Sequence, residues 1–504
     1  MLVDSRELPE GTVIDADLCV IGGGMAGITL VRELLDTGLR IAVLESGGEQ
    51  PDQAYQDLYR GSGRISDSSG RGEEISNYLP SSRVRAFGGS GHVWGGKCGR
   101  LEPADFMERS WIPHSGWPFD REHLDPFYDR ASALLKLPSF RGDVVGKDPA
   151  RPPFAVGDGK EFTTVPRIHS PVTGGRSKSE FDGFRYAITK TPGVTVYLHA
   201  NVTRIRATPD GRSVAGLEVR CLNGRAHTAR ARYYVLAAGG MENARILLLS
   251  EFEARSGLVG RFFSGHLNCG AYGEGQGPNS GVAFSDVRQS LDLYTTQDLS
   301  KTWGIWNLTT GAQSRHRLPN FWATFQALSY TPPPSETAVT AFARNIDATR
   351  GDGSAQFLPV RVMAENPPDP ESRLTLQSET DGLGQRRLSL EWKLNDQYVR
   401  GLGESVALLG RALGGSGTGR LRWPLSREQL LPALGPARHH IGTTRMHRDS
   451  RQGVVDEHSR MHGVENFYVA GSSVFPTGGI ANPTLTLLAL TIRLADRMRQ
   501  VLRR

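Results

Sequence analysis

Lysine is nearly absent: the 504 residues hold 8 Lys against 51 Arg. No five basic residues run together, so the formal charge of +6 and the pI near 9.2 mark no stripe for nucleic acid. Only four cysteines occur, Cys19, Cys98, Cys221 and Cys269, and none forms a Cys-x-x-Cys pair. That argues against a structural zinc site, and no disulfide framework is indicated. The residues from Met1 to Pro9 lack the apolar segment of a secretory signal. The longest apolar stretch, around Leu485–Ile492, is too short to span a bilayer and is followed by Arg493. These absences predict a soluble, cytoplasmic protein with no metal, nucleic-acid or membrane partner.

Glycine is in excess. The chain has 60, about one residue in eight, against about 7 % in average proteins. They follow no Gly-x-y period, so they belong to turns, helix caps and ligand loops. With 38 % hydrophobic and 22 % charged residues the chain is neither disordered nor fibrous, and its length predicts two or more domains.

Asp15–Ile21 ends in a short apolar run typical of a buried parallel strand. Gly22-Gly23-Gly24-Met25-Ala26-Gly27 follows at once and fits G-x-G-x-x-G. Ile28–Thr37 then reads as a helix with Ile28, Leu30, Val31, Leu34 and Leu35 on one face, and Gly38 stands where a C-cap would. Arg40–Leu44 reads as a second strand, ending at Glu45, 23 residues after Gly22. Gly22 allows the tight turn, Gly24 close approach of a pyrophosphate, and Gly27 close helix–strand packing. The helix N-terminus offers unpaired N–H groups and a positive dipole end. Glu45 is placed to accept from the ribose hydroxyls and disfavours a 2′-phosphate. The order of parts predicts an ADP-containing dinucleotide and leaves FAD and NAD both open.

Arg60–Asn77, rich in Gly, Ser and charge, reads as a surface loop. Arg83–Lys97 carries five glycines in nine residues, interleaved with His92 and Trp94, and suits close approach to a large planar ligand; a structural loop is the other reading. Trp111–Tyr128 looks like a packed connector. Val194–Leu198, Val202–Ala207 and Val214–Leu222 read as strands, with a hairpin turn at Asn223-Gly224. Tyr233–Leu236 enters Ala237-Ala238-Gly239-Gly240 and a helix over Met241–Leu249. Two such strand–glycine–helix units joined by a meander are typical of flavin-binding two-dinucleotide folds. Asn268–Leu430 differs in texture, with scattered aromatics (Tyr272, Tyr294, Trp303, Trp306, Trp322, Phe325), Pro332–Pro334 and a Gly-Gly-Ser-Gly at Gly414–Gly417. It reads as a second lobe built on a sheet.

Near the end, His439-His440-Ile-Gly-Thr-Thr-Arg-Met446 precedes Asn466–Ser473, a buried strand running into a Gly-Ser loop. Asn482-Pro483 reads as an N-cap followed by Pro at N1 of an apolar helix through Leu502. The N-terminus of that helix points positive charge inward, which suits a reduced flavin.

With these motifs in place, the chain resembles the glucose–methanol–choline (GMC) family of FAD-dependent oxidoreductases. The resemblance rests on Gly22–Gly27 with Glu45, the Phe87–Gly96 loop, the H-x-x-G-T-x-R-M-like run His439–Met446, and Asn482-Pro-Thr-Leu485. Only the substrate lobe lacks a matching pattern. The Gly-Gly-Ser-Gly-His-Val-Trp loop and the ending Ala-Asn-Pro-Thr-Leu-Thr are closer to pyranose oxidases and bacterial glycoside 3-oxidases than to glucose or choline oxidases. The resemblance implies FAD held by Gly22, Gly24, Met25, Ala26, Gly27, Glu45 and Ser46, and by Gly88, Gly89, Ser90, His92, Trp94, Gly95 and Gly96. It adds Val202, Ala238, Gly239, Gly471, Ser472, Asn482, Pro483 and Thr484. The family's catalytic His lies seven residues before the Met of the motif, which gives His439, and the second catalytic position falls on Asn482. His440 competes for the first role, but neighbours on an extended strand point to opposite faces. Neutral His439 would take a hydroxyl proton while hydride passes to flavin N5, with the Asn482 amide holding the oxygen. Some relatives bind FAD covalently through a His directly before the Trp. Here Val93 separates His92 from Trp94, so non-covalent FAD is expected.

The expectation is an α/β two-dinucleotide-fold flavoprotein with a Rossmann-like FAD domain and a mixed α+β substrate domain built on a β-sheet. The FAD domain comprises 12–100, 190–267 and 431–504; 101–189 is a connector or cap, and 268–430 the substrate domain. The expected activity is oxidation of a sugar or glycoside hydroxyl, a secondary ring alcohol to a ketone, with O2 or another acceptor taking the electrons. The alternatives are a dehydrogenase or oxidase of a non-sugar alcohol, such as a natural-product intermediate, and a non-redox flavoprotein lyase.

Overall fold

The computed structural model describes residues 1–138, 158–170, 180–252, 257–270, 281–284, 294–295, 301–325, 356–416, 419–423 and 430–503. The chain opens its first sheet with Val13–Ile21. Burial alternates at its start and becomes continuous at its end, as suits a central parallel strand. It pairs in parallel with Ile41–Leu44 on one side and Ala226–Leu236 on the other. Val194–Leu198 and Leu2–Asp4 extend the parallel array beyond Ile41–Leu44, and Phe467–Val469 pairs in parallel with the end of Ala226–Leu236. The start of Ala226–Leu236 instead joins an antiparallel meander with Val214–Arg220 and Asn201–Ala207. Its hairpin turn carries Gly224 at φ +93°, a conformation that favours glycine.

The first helix spans Met25–Arg32, earlier at both ends than Ile28–Thr37. Leu34 and Thr37 donate to carbonyls three residues back, so the chain tightens into a 3₁₀ turn at Leu35–Thr37 that closes on Gly38 at φ +71°. The second glycine-led helix, Gly240–Leu249, begins one residue before the expected Met241.

Arg60–Asn77 is not a surface loop. Gly61–Asp67 is a strand, parallel to Arg386–Leu394 and antiparallel to Gly72–Glu74, in a four-stranded sheet completed by Arg373–Thr380. Its small residues serve packing: a Cβ on Gly61 would lie 2.1 Å from the Leu388 carbonyl oxygen. The partner strand is more than 300 residues away, so nothing local announces the pairing.

The largest sheet has ten strands. Gln356–Glu365 lies between Phe321–Phe325 and both Gly281–Phe284 and His266–Gly270, and Lys301–Leu308 follows Phe321–Phe325. Phe162–His169 comes next and Lys97–Cys98 forms the edge. The sheet thus takes strands from the spans expected as connector and as FAD domain as well as from 268–430. Of the aromatics noted in the second lobe, Trp306 is fully buried in the core, and Trp322 packs with Ile305, Met363 and Ile480. Tyr272, Pro332–Pro334 and Gly417 lie outside the described residues.

Trp117 and Tyr128 are buried. Tyr128 sits on the helix Arg121–Leu134, and its hydroxyl is 2.8 Å from that of Thr486 on the C-terminal helix Thr484–Leu502. All four cysteines are buried and free. Among the described residues no helix is long and apolar enough to cross a membrane.

Gly27 tests the packing of the first unit, because a Cβ there would stand 2.0 Å from the Gly22 carbonyl oxygen. Gly27→Ala is expected to cost about 1–3 kcal/mol through overpacking. Chemical denaturation measures it, and an unchanged midpoint contradicts the packing argument.

Candidate active site and cofactor cavity

Three helices begin at one cavity. Their N-cap residues are Gly24, Gly239 and Pro483, none of the three ends is closed by a side chain, and all three residues line the cavity. A helix N-terminus without a cap presents unpaired N–H groups and a partial positive charge. The cavity holds about 1800 Å³ of empty space.

The first glycine loop forms one end. Gly22, Gly24, Met25 and Ala26 line it, whereas Gly27 is turned onto the Gly22 carbonyl and serves packing. Glu45 and Ser46 also line this end. Glu45 does more than wait for a ribose. Its Oε2 accepts from the Gly23 N–H and its Oε1 from the Gly47 N–H, both at 2.8 Å, so the carboxylate also ties the loop together. Oε1 also accepts from the Ser46 hydroxyl at 3.2 Å, which leaves Oε2 with lone-pair capacity for a ligand hydroxyl.

In the second loop Gly89, Ser90, Trp94 and Gly95 line the cavity. Gly88, His92 and Gly96 are not on its wall. Gly88 (φ +114°) donates its N–H to the Gly23 carbonyl and so joins the two glycine loops. His92 Nε2 is 3.0 Å from the Phe87 carbonyl oxygen, so that nitrogen donates to its own loop. Val202, Ala238, Gly239, Gly471 and Ser472 also line the cavity.

Asn482, Pro483 and Thr484 line the far end together with His439. Asn482 is not a cap. Pro483 occupies the N-cap position, and the Asn482 Nδ2 lies 3.2 Å from His439 Nε2. His439 and His440 diverge as expected for adjacent residues. The Nδ1 of His439 is 2.7 Å from the Nδ1 of His266, while the Nε2 of His440 is 3.0 Å from the hydroxyl of Ser82. Burial holds His439 well below the usual imidazole range, helped by the neighbouring His266, His440, Arg361 and Lys97. Burial, with Arg83 and Arg438, brings His440 down to about 3.

Several wall residues escaped the sequence reading. Lys97 lines the cavity, and burial lowers its pKa. Arg83 and Arg85 flank the Tyr59 ring at 3.8 and 4.1 Å from its centroid, and both pair with Glu242 at 3.2 and 3.0 Å. Burial pushes the Glu242 carboxyl up, but Arg85, Arg245 and Arg83 together hold it down at about 2. His266 received no role in the sequence reading. No pattern could have joined it to a residue 173 positions later.

A cavity lined by both glycine loops, three open helix N-termini, His439 and Asn482 suits a dinucleotide. The fold is that of the two-dinucleotide-fold flavoproteins. Residues 368–491 match the family model described as GMC oxidoreductase. The chain is 21 % identical to the fructose dehydrogenase large subunit of Gluconobacter japonicus, over 96 % of this chain and 97 % of that one. It is 25 % identical to the paromamine 6′-oxidase of Streptomyces fradiae, over 95 % and 90 %. A formate oxidase crystal structure superposes with a TM-score of 0.62 at 17 % identity, covering 98 % of this chain and 99 % of that one. Residues 368–491 thus carry a GMC oxidoreductase domain, and the two relatives that match along the length of the chain are oxidoreductases by name.

His266, His439 and His440 all have pKa values lowered in the fold. The unfolded chain therefore takes up protons first as pH falls below about 6.5, and stability that is present above that pH is lost on acidification. The thermal midpoint is expected to stay level above neutrality and to fall between about pH 6.5 and 4. A midpoint that rises on acidification contradicts the buried neutral histidines.

Proposed function

We propose that this protein oxidises a hydroxyl of a sugar or glycoside, a secondary ring alcohol to the ketone. The observation that carries the reading is His439 Nε2, which faces the Asn482 amide at 3.2 Å beside the open N-terminus of Thr484–Leu502, in the same cavity as the G-x-G-x-x-G loop. Bound FAD supplies the two-electron acceptor. A substrate oxygen entering between the two side chains accepts from Asn482 Nδ2 and gives its proton to His439 Nε2. The helix N-terminus favours negative charge at that end of the cavity.

A sugar is favoured over an apolar alcohol by the polar and charged wall there, where Lys97, His439 and Asn482 offer hydrogen bonds to several hydroxyls. Two relatives are named for fructose and paromamine. In this reading the FAD domain keeps the division 12–100, 190–267 and 431–504, and the substrate meets the sheet of 268–430, to which Phe162–His169 adds a strand. The hydrogen bond of His92 to its own loop supports non-covalent FAD.

Anaerobic bleaching of the flavin by sugars, glycosides and apolar alcohols tests the substrate class. Monosaccharides or aryl glycosides should bleach it; bleaching by apolar alcohols alone rejects the sugar, and none by any alcohol rejects the oxidation. His439→Ala is expected to retain FAD and slow flavin reduction by about 10²–10⁴-fold. Because the pKa of His439 is lowered, the acid limb of the wild-type rate should lie below about pH 6.5. Acid precipitation should release the yellow colour into the supernatant; colour in the pellet overturns non-covalent binding.

A further inference from the structure

His266 is 1 % exposed and stands directly across the strand pair from Glu365. Its two ring nitrogens have different partners. Nε2 is 3.0 Å from the Gly479 carbonyl oxygen, and Nδ1 is 2.7 Å from Nδ1 of His439. A carbonyl oxygen only accepts, so the His266 Nε2 carries the hydrogen. In a neutral imidazole the other nitrogen is then a lone pair, and the contact between the two Nδ1 atoms needs a hydrogen on His439. That leaves the Nε2 of His439 as a lone pair, aimed at Asn482 and the cavity. If His266 instead carried both hydrogens, His439 would have to accept at Nδ1, and its own N–H would occupy the Nε2 where a base is needed.

The anchor of this chain is built firmly. The Gly479 N–H donates to Glu365 Oε1 at 3.2 Å, and Arg109 grips both Glu365 oxygens at 2.9 Å. Gly479 has φ +54°, and a Cβ there would lie 2.5 Å from the Asp105 carboxylate, so backbone and carbonyl have little freedom. The charged groups around His266 are Glu365, already paired with Arg109, and Arg167, which opposes a second proton.

We propose that His266 is a positioning residue: held by the Gly479 carbonyl, it selects the Nδ1–H tautomer of His439 and so keeps Nε2 free to take the substrate proton. After that transfer the His439 imidazolium still donates from Nδ1 to His266, which disperses the new charge. The inference rests on His439 as the base.

Two measurements on the FAD-loaded protein test it. Nitrogen-15 NMR of histidine-labelled protein, with His439 assigned by difference against His439→Gln, should show its hydrogen on Nδ1; a hydrogen on Nε2 overturns the proposal. In stopped-flow flavin reduction, His266→Ala and His266→Gln should fall by about 30–1000-fold with the flavin content unchanged. His266→Asn, whose Oδ1 can accept from His439 Nδ1, should recover to within about threefold and keep the wild-type pH profile. Equal rates for wild type and His266→Ala reject the positioning role. If His439→Ala also reduces flavin at the wild-type rate, the base assignment itself is what fails; if only the His266 variants are silent, the failure belongs to this proposal alone.

Discussion

The site depends on the parallel register between Val13–Ile21 and Ala226–Leu236. Ile21 stands beside Leu236, and the Ala237 N–H donates to the Ile21 carbonyl at 2.7 Å. The two strands therefore end at the same level, and the helix after each begins at the same cavity. Gly22 sits so close over Ala237 that a Cβ would lie 2.6 Å from its carbonyl oxygen. Phe467–Val469 joins Ala226–Leu236 in parallel and delivers Gly471 and Ser472 to the same wall. A slip of one residue in this register would turn the buried faces outward.

Buried charge is the second organising feature. Arg109–Glu365 ties the connector span to the large sheet, and Glu242 gathers Arg83 and Arg85 from a distant segment and Arg245 from its own helix. Taking such groups out of water is costly, and removing one partner of a buried pair typically costs about 3–5 kcal/mol. Arg83, Arg85 and Glu242 line the cavity. The geometric consequence of the Arg109–Glu365 pair is concrete: Glu365 holds Gly479, and Gly479 holds His266.

Local chemistry was legible where it repeats over short distances. The strand–glycine–helix units of Val13–Arg32 and Ala226–Leu249 announce themselves through a run of buried apolar residues broken by glycine. The divergence of His439 and His440 follows from the alternation of an extended chain. Composition misled at Arg60–Asn77, because glycine and serine serve close packing as readily as a loop, and only the presence of Leu388 and Leu79 distinguishes the two. It misled again at Asn482, which lies one residue before the N-cap position and sets its amide nitrogen 3.2 Å from His439. The same limit applies to His92, which has the right chemistry for the cofactor but spends it on the Phe87 carbonyl.

The sequence by itself pointed to the dinucleotide loop and the acid at Glu45 through their spacing, and to His439 and Asn482 through a family resemblance. The loop depends on the spacing of neighbours along the chain, which covalent geometry converts directly into position. The tertiary structure alone decided which nitrogen of His439 is free, because that is set by His266 and through it by Gly479, Glu365 and Arg109. Those residues are brought together by cross-strand register and buried pairing, which act over hundreds of residues and leave no pattern in the chain.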